Sequence, residues 1–206
     1  MIAIVDYGAG NLRSVALGFA RIGAETMVTR DPAVLAQADG LVLPGVGAFA
    51  DAMQALQKSG VIPALQTFAE NGKPLLGICL GMQALFDGSE EGPGVTGLGL
   101  IPGRVRRLPG CGLKIPHMGW NTLEPAKVSP LLDGLPETPY VYFVHSFACE
   151  ADNPGDVLAV TNYGVRFHAV VQRGNIMGMQ FHPEKSGRVG RTLLQNFVKL
   201  TERGHV

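Results

Sequence analysis

The sequence lacks the features that mark membrane, secreted and nucleic-acid-binding proteins. Its 206 residues carry 17 basic and 17 acidic side chains, so no electrostatic attraction to nucleic acid or a membrane surface is expected. No apolar run approaches the roughly 18 residues of a transmembrane helix, and the N-terminus has no basic segment typical of a signal peptide. The three cysteines have no paired spacing, which argues against a disulfide framework. These absences predict a cytoplasmic protein with a single domain over residues 1–206.

In the first half of the chain, short apolar runs alternate with helical patterns. Strands are predicted at residues 2–7, 25–29, 40–44 and 74–78, and helices begin at residues 12, 32, 48 and 61. Strands that are apolar throughout are typical of a parallel sheet covered on both faces. The pattern predicts an α/β fold with a mixed, mostly parallel open sheet and helices on both sides.

The second half has a different texture, with short β-like segments separated by glycine and proline. These segments are residues 98–101, 104–108, 140–147, 157–161, 168–172 and 176–181. We expect them to continue the same sheet as antiparallel or mixed strands. A helix is predicted at residues 190–200, because the apolar residues there share one face. This helix closes the domain.

A cysteine between two glycines lies where the strand at residues 74–78 ends and a helix is predicted to begin. The pattern Gly77-Ile78-Cys79-Leu80-Gly81 is the thiol counterpart of a nucleophile elbow. Glycines leave room for the sharp turn, and the start of a helix favours thiolate over thiol. The N–H of Leu80 can stabilise an oxyanion at the same place. The alternative for so short a pattern is a buried structural cysteine on an ordinary turn.

Two further segments could complete such a site. Among five histidines, His182 is the best candidate base, because it ends an apolar strand and Glu184 follows two residues later. On an extended backbone the two side chains point to the same side, so the carboxylate can orient the imidazole. The loop at residues 44–47 also ends a strand, and its N–H groups could join an oxyanion hole. Taken singly, the alternatives are a surface His–Glu pair and a plain βα turn.

Together, these three segments resemble the class I (triad) glutamine amidotransferases, and the resemblance spans essentially the whole chain. It implies that Cys79 is the nucleophile, His182 the general acid and base, and Glu184 its partner. It also implies that the N–H groups of Gly45 and Leu80 stabilise the oxyanion. The residues implied to bind the amino-acid end of glutamine are Gly47, Gln83, Ser146 and Phe147. Neither a metal nor a cofactor is implied.

Four flanking segments, residues 7–11, 116–121, 142–147 and 182–186, resemble the members of this family that serve histidine biosynthesis. This resemblance implies that the protein hydrolyses L-glutamine and delivers the ammonia to a cyclase partner. The partner implied is a (β/α)₈ barrel that forms a heterodimer with this chain. The residues implied at the partner interface are Asn11, Trp120, Tyr142 and Lys185. The alternatives are core aromatic residues for Trp120 and Tyr142, and a solvated lysine for Lys185.

Three other functions compete with this hypothesis. The first is the amidotransferase subunit of another synthase, of the anthranilate or aminodeoxychorismate type. The second is a free-standing cysteine peptidase or γ-glutamyl hydrolase, against which Gln83 and the absence of a secretion signal count. The third is a non-enzymatic regulatory subunit, which the intact Cys79, His182 and Glu184 argue against.

Overall fold

The first half of the molecule alternates strands and helices, as the sequence predicts. A computed structural model describes residues 1–202. In chain order the elements are β1 (Ile2–Val5), α1 (Leu12–Ala20), β2 (Thr26–Thr29), α2 (Pro32–Gln37), β3 (Gly40–Leu43), α3 (Phe49–Ser59), α4 (Ile62–Glu70), β4 (Leu75–Ile78), α5 (Leu80–Ala84) and β5 (Gly88–Ser89).

The second half is mostly strand and ends in the longest helix of the described chain. Its elements are β6 (Gly103–Arg107), β7 (His117–Thr122), β8 (Glu124–Pro125), β9 (Tyr140–His145), β10 (Phe147–Ala151), β11 (Val157–Asn162), β12 (Arg166–Arg173), β13 (Ile176–Met179) and α6 (Gly187–Glu202). Short 3₁₀ turns lie at Pro130–Leu132, Pro154–Asp156 and Pro183–Lys185.

One large sheet organises the fold, in the order β2-β1-β3-β4-β13-β12-β10-β6-β5, with β11 and β8 branching from β12. The strands from β2 to β13 are parallel to their neighbours, whereas β12, β10 and β6 pair antiparallel. Because β1, β3, β4 and β13 are parallel, their carboxyl ends meet at one edge, where open α/β sheets bind ligands.

Helices cover both faces of this sheet, each over its own apolar core. Alternate residues of a strand point to opposite faces. Ile2 and Ile4 of β1 therefore face α1 and α6, where Phe19 and Phe197 meet edge to face at 6.3 Å. Ala3 and Val5 face α2, α3 and α4 instead. The predicted fold class is confirmed. No helix within residues 1–202 is both long and apolar enough to cross a membrane.

Two predictions about the second half are wrong. Residues 98–101 form a loop and not a strand, because their N–H groups bond back to the end of α5, as in Leu98 N to Ala84 O at 2.8 Å. Not every strand joins the main sheet either. β7, which the sequence analysis did not predict, pairs with β9 in a separate antiparallel ribbon.

Candidate active site

The turn at Cys79 is strained and tightly enclosed. Its backbone has φ of 54° and ψ of −111°, a conformation that non-glycine residues adopt rarely. The flanking glycines are required sterically. A Cβ at Gly77 would lie 2.7 Å from Gly81 O, and one at Gly81 would lie 1.8 Å from Leu43 O. Cys79 therefore lies directly after β4, between two positions at which a side chain would clash with the backbone.

The carboxyl ends of β4 and β13 bring distant segments together beside this cysteine. Ile78 and Met179 are register partners, so Cys79 and Gln180 follow them side by side. The N–H of Cys79 donates to Met179 O at 2.8 Å. His182 lies two residues beyond Gln180, which places it at the same edge. The parallel register thus explains how residues about a hundred positions apart share one site.

His182 is held by Glu184 through a buried hydrogen bond. His182 Nδ1 lies 2.9 Å from Glu184 Oε1, and the two side chains are 4% and 1% exposed. The sequence analysis expected an extended backbone between them, and this detail is wrong. Pro183–Lys185 forms a 3₁₀ turn that begins at His182. The proline fixes the turn, and the turn swings the carboxylate back under the imidazole.

The other imidazole nitrogen, Nε2, is buried and has no hydrogen-bond partner within residues 1–202. Burial lowers the pKa of His182, but the neighbouring Cys79 and Glu184 stabilise the charged ring more strongly, and the pKa rises to about 9. Hydrogen bonds between catalytic groups often tighten only when substrate binds.

A cavity of about 400 Å³ opens over Cys79 and His182. Its lining includes the residues that the sequence analysis expected to bind glutamine, namely Gly47, Gln83, Ser146 and Phe147. Leu80 lines it as well, whereas Gly45 lies beneath, where a Cβ would be 2.7 Å from Gly81 N. The cavity is large enough for one amino acid. Within the described residues, no group of three or more His, Cys, Asp or Glu side chains is arranged to hold a metal ion.

A chain of amide groups, which the sequence analysis missed, connects the cavity wall to the sulfur. Gln83 Nε2 donates to Phe147 O at 3.1 Å and to Gln180 Oε1 at 3.2 Å. These bonds turn the Gln180 amide so that its Nε2 faces Cys79 Sγ at 3.8 Å. The available signal was a glutamine within an apolar strand, two residues before the candidate base.

Glu91 and His145 also line the cavity and were not among the predicted site residues. Glu91 Oε2 accepts the N–H of Phe49 at 2.8 Å, which holds the carboxylate at the cavity rim. No motif in the sequence indicated Glu91, whereas His145 directly precedes the predicted Ser146–Phe147 pair and was passed over because its own role was not apparent.

The loop after β3 is fixed from below by Tyr7. The buried hydroxyl of Tyr7 donates to Pro44 O at 2.9 Å. Because a peptide group is planar, holding this carbonyl also sets the direction of the Gly45 N–H. Gly47, at the cavity, has φ of 104°, which only glycine adopts readily.

The four predicted interface residues lie on the surface near the site. Trp120 is 56% exposed, and its ring meets that of its register partner Tyr142 at 5.9 Å. The N–H of Tyr142 donates to Ser186 Oγ, which ties this ribbon to the turn carrying the exposed Lys185. Asn11 is exposed and caps α1 by accepting the N–H of Ser14 at 3.2 Å. With Met118 and Tyr140, also exposed, Trp120 gives the outer face of the β7–β9 ribbon an apolar surface.

The family model for class-I glutamine amidotransferases matches residues 3–200. The chain belongs to this family. Solved structures agree on the fold: a glutamine amidotransferase crystal structure superposes with a TM-score of 0.77 at 22% identity, covering 98% of this chain and 100% of that one. The structure of PurLQS from Thermotoga maritima gives a TM-score of 0.75 at 20% identity, covering 96% and 97%.

Curated relatives are far more similar in sequence. The protein named imidazole glycerol phosphate synthase subunit HisH from Methanothermobacter thermautotrophicus is 54% identical over 97% of this chain and 98% of its own length. Proteins of the same name from Desulfitobacterium hafniense and Oceanobacillus iheyensis are 52% and 48% identical, each over 97% of this chain and over 94% and 99% of their own lengths.

Proposed function

We propose that this chain is the glutaminase subunit of an imidazole glycerol phosphate synthase, which hydrolyses L-glutamine and supplies ammonia to a partner. The observation that carries the proposal is that Cys79 and His182 line one cavity while Glu184 holds His182 from behind, in a chain about half identical to proteins of that name over nearly its full length. The match of the family model to residues 3–200 supports the glutamine chemistry, and the relatives named as synthase subunits support the particular synthase.

Glutamine would bind with its amino-acid end against the rim of the cavity and its side-chain amide over the sulfur. The Glu91 carboxylate and the free amide oxygen of Gln83 suit the α-ammonium group, since the Gln83 nitrogen is already bonded to Phe147 and Gln180. Backbone groups of Gly47 and of the Ser146–Phe147 segment suit the α-carboxylate and complete the pocket.

Acylation begins when the Cys79 thiolate attacks the side-chain amide carbon. The carbonyl oxygen becomes an oxyanion, which the N–H groups of Leu80 and Gly45 would stabilise. Protonated His182 gives its proton to the amide nitrogen as the C–N bond breaks, and ammonia leaves. The raised pKa suits this step, because an imidazolium beside a thiolate is the state required for donation.

Deacylation uses the same residues with the proton moving the other way. Neutral His182 takes a proton from water as its oxygen attacks the γ-glutamyl thioester. The C–S bond then breaks, glutamate leaves and the thiolate returns. Glu184 would hold the imidazole in one orientation through both steps. Cys79 must stay reduced to act, which fits a cytoplasmic location.

Ammonia would pass to a cyclase partner with a (β/α)₈ barrel, which forms imidazole glycerol phosphate and the aminoimidazole carboxamide ribotide AICAR. A closed passage is needed because ammonia released to neutral water becomes mostly ammonium, which is not a nucleophile. The surface formed by Trp120, Tyr142, Lys185 and Asn11 is the proposed docking face. Tyr142 O accepts the N–H of His182 at 3.0 Å, which joins this face to the site, and the face carries exposed aromatic area.

The test is to combine the purified chain with a candidate cyclase and to assay glutamine-dependent formation of imidazole glycerol phosphate. The proposal expects a stable complex and turnover that needs both chains. Complex formation with a chorismate-using synthase instead, together with glutamine-dependent anthranilate or aminodeoxychorismate, would support the alternative amidotransferase subunit.

A further inference from the structure

Two buried histidines that the proposed reaction does not use lie beside the cavity: His145 lines its wall, and His117 lies behind His145. His117 of β7 and His145 of β9 are register partners and are 2% and 6% exposed. Their rings are joined directly, with 2.9 Å between His117 Nδ1 and His145 Nε2. Two buried imidazoles in contact are stable only if one donates and the other accepts, so the protonation of the pair is constrained.

The neighbouring groups determine which nitrogen carries each proton. His145 Nδ1 lies 2.8 Å from Phe147 O, and a carbonyl oxygen only accepts, so His145 carries its proton on Nδ1. His145 Nε2 is then an acceptor, and His117 Nδ1 must donate to it. His117 Nε2 is left to accept from Asn121 Nδ2 at 3.3 Å. All three hydrogen bonds therefore run in one direction, from Asn121 to Phe147.

The orientation of the His117 ring is fixed by aromatic neighbours on both sides. It stacks on Tyr163 at 3.9 Å between centroids and on Phe143 at 4.7 Å. Burial lowers the pKa of His117 to about 4 and that of His145 to about 3, so both rings are neutral near neutral pH. A neutral ring held between two others has one available hydrogen-bonding direction, and that direction is toward His145.

The chain of bonds ends on the wall of the cavity. Phe147 O accepts from His145 Nδ1 and also from Gln83 Nε2, so one carbonyl joins the histidine pair to the glutamine-binding side. We propose that His117 and His145 are positioning residues, which hold the Ser146–Phe147 segment and Gln83 in place for the amino-acid end of the substrate. This inference rests on the proposed function. Because both nitrogens of each ring are bonded, neither ring competes with His182 for the proton of Cys79.

Two amide substitutions of His117 test whether its hydrogen bond to His145, and not only its volume, positions the substrate-binding segment. In His117→Asn the amide nitrogen takes the place of Nδ1 and can still donate to His145. In His117→Gln the amide nitrogen takes the place of Nε2, which leaves His145 without its donor. We expect His117→Asn to keep the glutamine KM within about threefold, and His117→Gln to raise it about tenfold with kcat changed less than about threefold. The assay uses the chain in complex with its cyclase.

A matched control is His168→Gln. His168 is half-buried and its Nδ1 accepts the N–H of Ala151 at 3.0 Å, on β12 away from the cavity. The glutamine KM of the His168→Gln variant should stay at the wild-type value. An unchanged KM in His117→Gln, or a fall in kcat at constant KM, would overturn the positioning role while leaving the proposed function intact. A wild-type complex that does not hydrolyse glutamine would overturn the proposed function, and this inference with it.

The tautomers provide a readout that does not depend on activity. Long-range ¹H–¹⁵N spectra of the ligand-free wild-type chain should show His117 and His145 both protonated on Nδ1 and both neutral at pH 7. Protonation of either ring on Nε2 alone would contradict the direction of the hydrogen bonds and overturn the proposal.

Discussion

At the scale of single residues, the ionisation of His182 is tied to folding. Its folded pKa of about 9 lies above the roughly 6.5 of a free histidine, because Cys79 and Glu184 stabilise the charged ring more than burial disfavours it. The stabilisation from this imidazolium is therefore fully present below about pH 6.5 and is lost as the pH rises through about 9.

The corresponding prediction concerns His182→Gln. Removing the charged ring should lower the free energy of unfolding by about 2 kcal/mol at pH 6.5, the order of a buried hydrogen bond to a charged group. The difference from wild type should shrink by pH 10, because the wild-type ring is then neutral in both states. Urea unfolding at the two pH values measures it. A difference that stays constant or grows with pH would contradict the raised pKa.

The roles proposed for His182 and Glu184 differ in kind, and so should the effects of removing them. Glu184→Gln leaves a group that can still contact Nδ1, whereas His182→Ala removes the proton carrier. We expect kcat for glutamine hydrolysis to fall by about 10⁴ in the first and by about 10⁶ in the second. Steady-state assays of the two complexes compare them. Equal losses, or the reverse order, would show that the roles are misassigned.

How far the sequence predicts the site depends on whether the signal is local. Cys79 and His182 stand out because their neighbours along the chain restrict the backbone. Gln180 contacts Gln83, and His145 contacts His117, across long separations in sequence. A polar residue in an apolar strand has no pattern that identifies such a partner. The His182–Glu184 pair was predicted, but its 3₁₀ turn was not, because the spacing of two residues fits either geometry.

At the scale of elements, the tight contact between the elbow and β3 makes a sharp steric prediction. Gly81→Ala would place a Cβ 1.8 Å from Leu43 O, so α5 and β3 must separate. We expect a loss of about 3 kcal/mol in the free energy of unfolding, although alanine favours helix. Gly110→Ala is the control, since its nearest atom would be 3.9 Å away, and it should change stability by less than about 0.5 kcal/mol. Similar stabilities for both variants would contradict the packing described at the elbow.

The parallel half of the sheet was predictable, because alternating apolar runs and helices leave few other arrangements. The β7–β9 ribbon was not. His117–Thr122 alternates buried and exposed residues, yet its partner strand lies about twenty residues away, and the short run contains a glycine. The loop at residues 98–101 shows the converse error, since apolar residues there pack under α5 without any strand to pair with.

At the scale of the whole molecule, the proposed docking face should carry the binding energy of the complex. Trp120→Ala removes an exposed aromatic anchor, and we expect it to weaken cyclase binding by about 2 kcal/mol, roughly thirtyfold. Met27→Ala removes an exposed apolar side chain from β2, at the far edge of the main sheet, and should leave the affinity unchanged. Titration calorimetry gives both affinities. Equal effects would place the docking face elsewhere.

Lys185 adds a charge to the same face, directly after Glu184, the proposed partner of His182. Pairing with a partner carboxylate predicts that Lys185→Ala weakens binding by roughly 2–5 kcal/mol, much of it from the unpaired carboxylate. Glutamine-dependent synthesis should fall at limiting chain concentration, while synthesis from added ammonia, which needs only the cyclase, should be unaffected. Normal affinity and stimulation would make Lys185 an ordinary solvated lysine.

The central claim is that glutamine is hydrolysed through Cys79. The most direct measurement is glutamate formation from L-glutamine by the complex of this chain with the proposed cyclase partner, for wild type, Cys79→Ala, Cys111→Ala and Cys149→Ala. Hydrolysis should be lost only in Cys79→Ala, while Cys111, exposed, and Cys149, buried within the sheet, are dispensable. Substantial glutamate formation by Cys79→Ala, or none by the wild-type complex, would contradict the account.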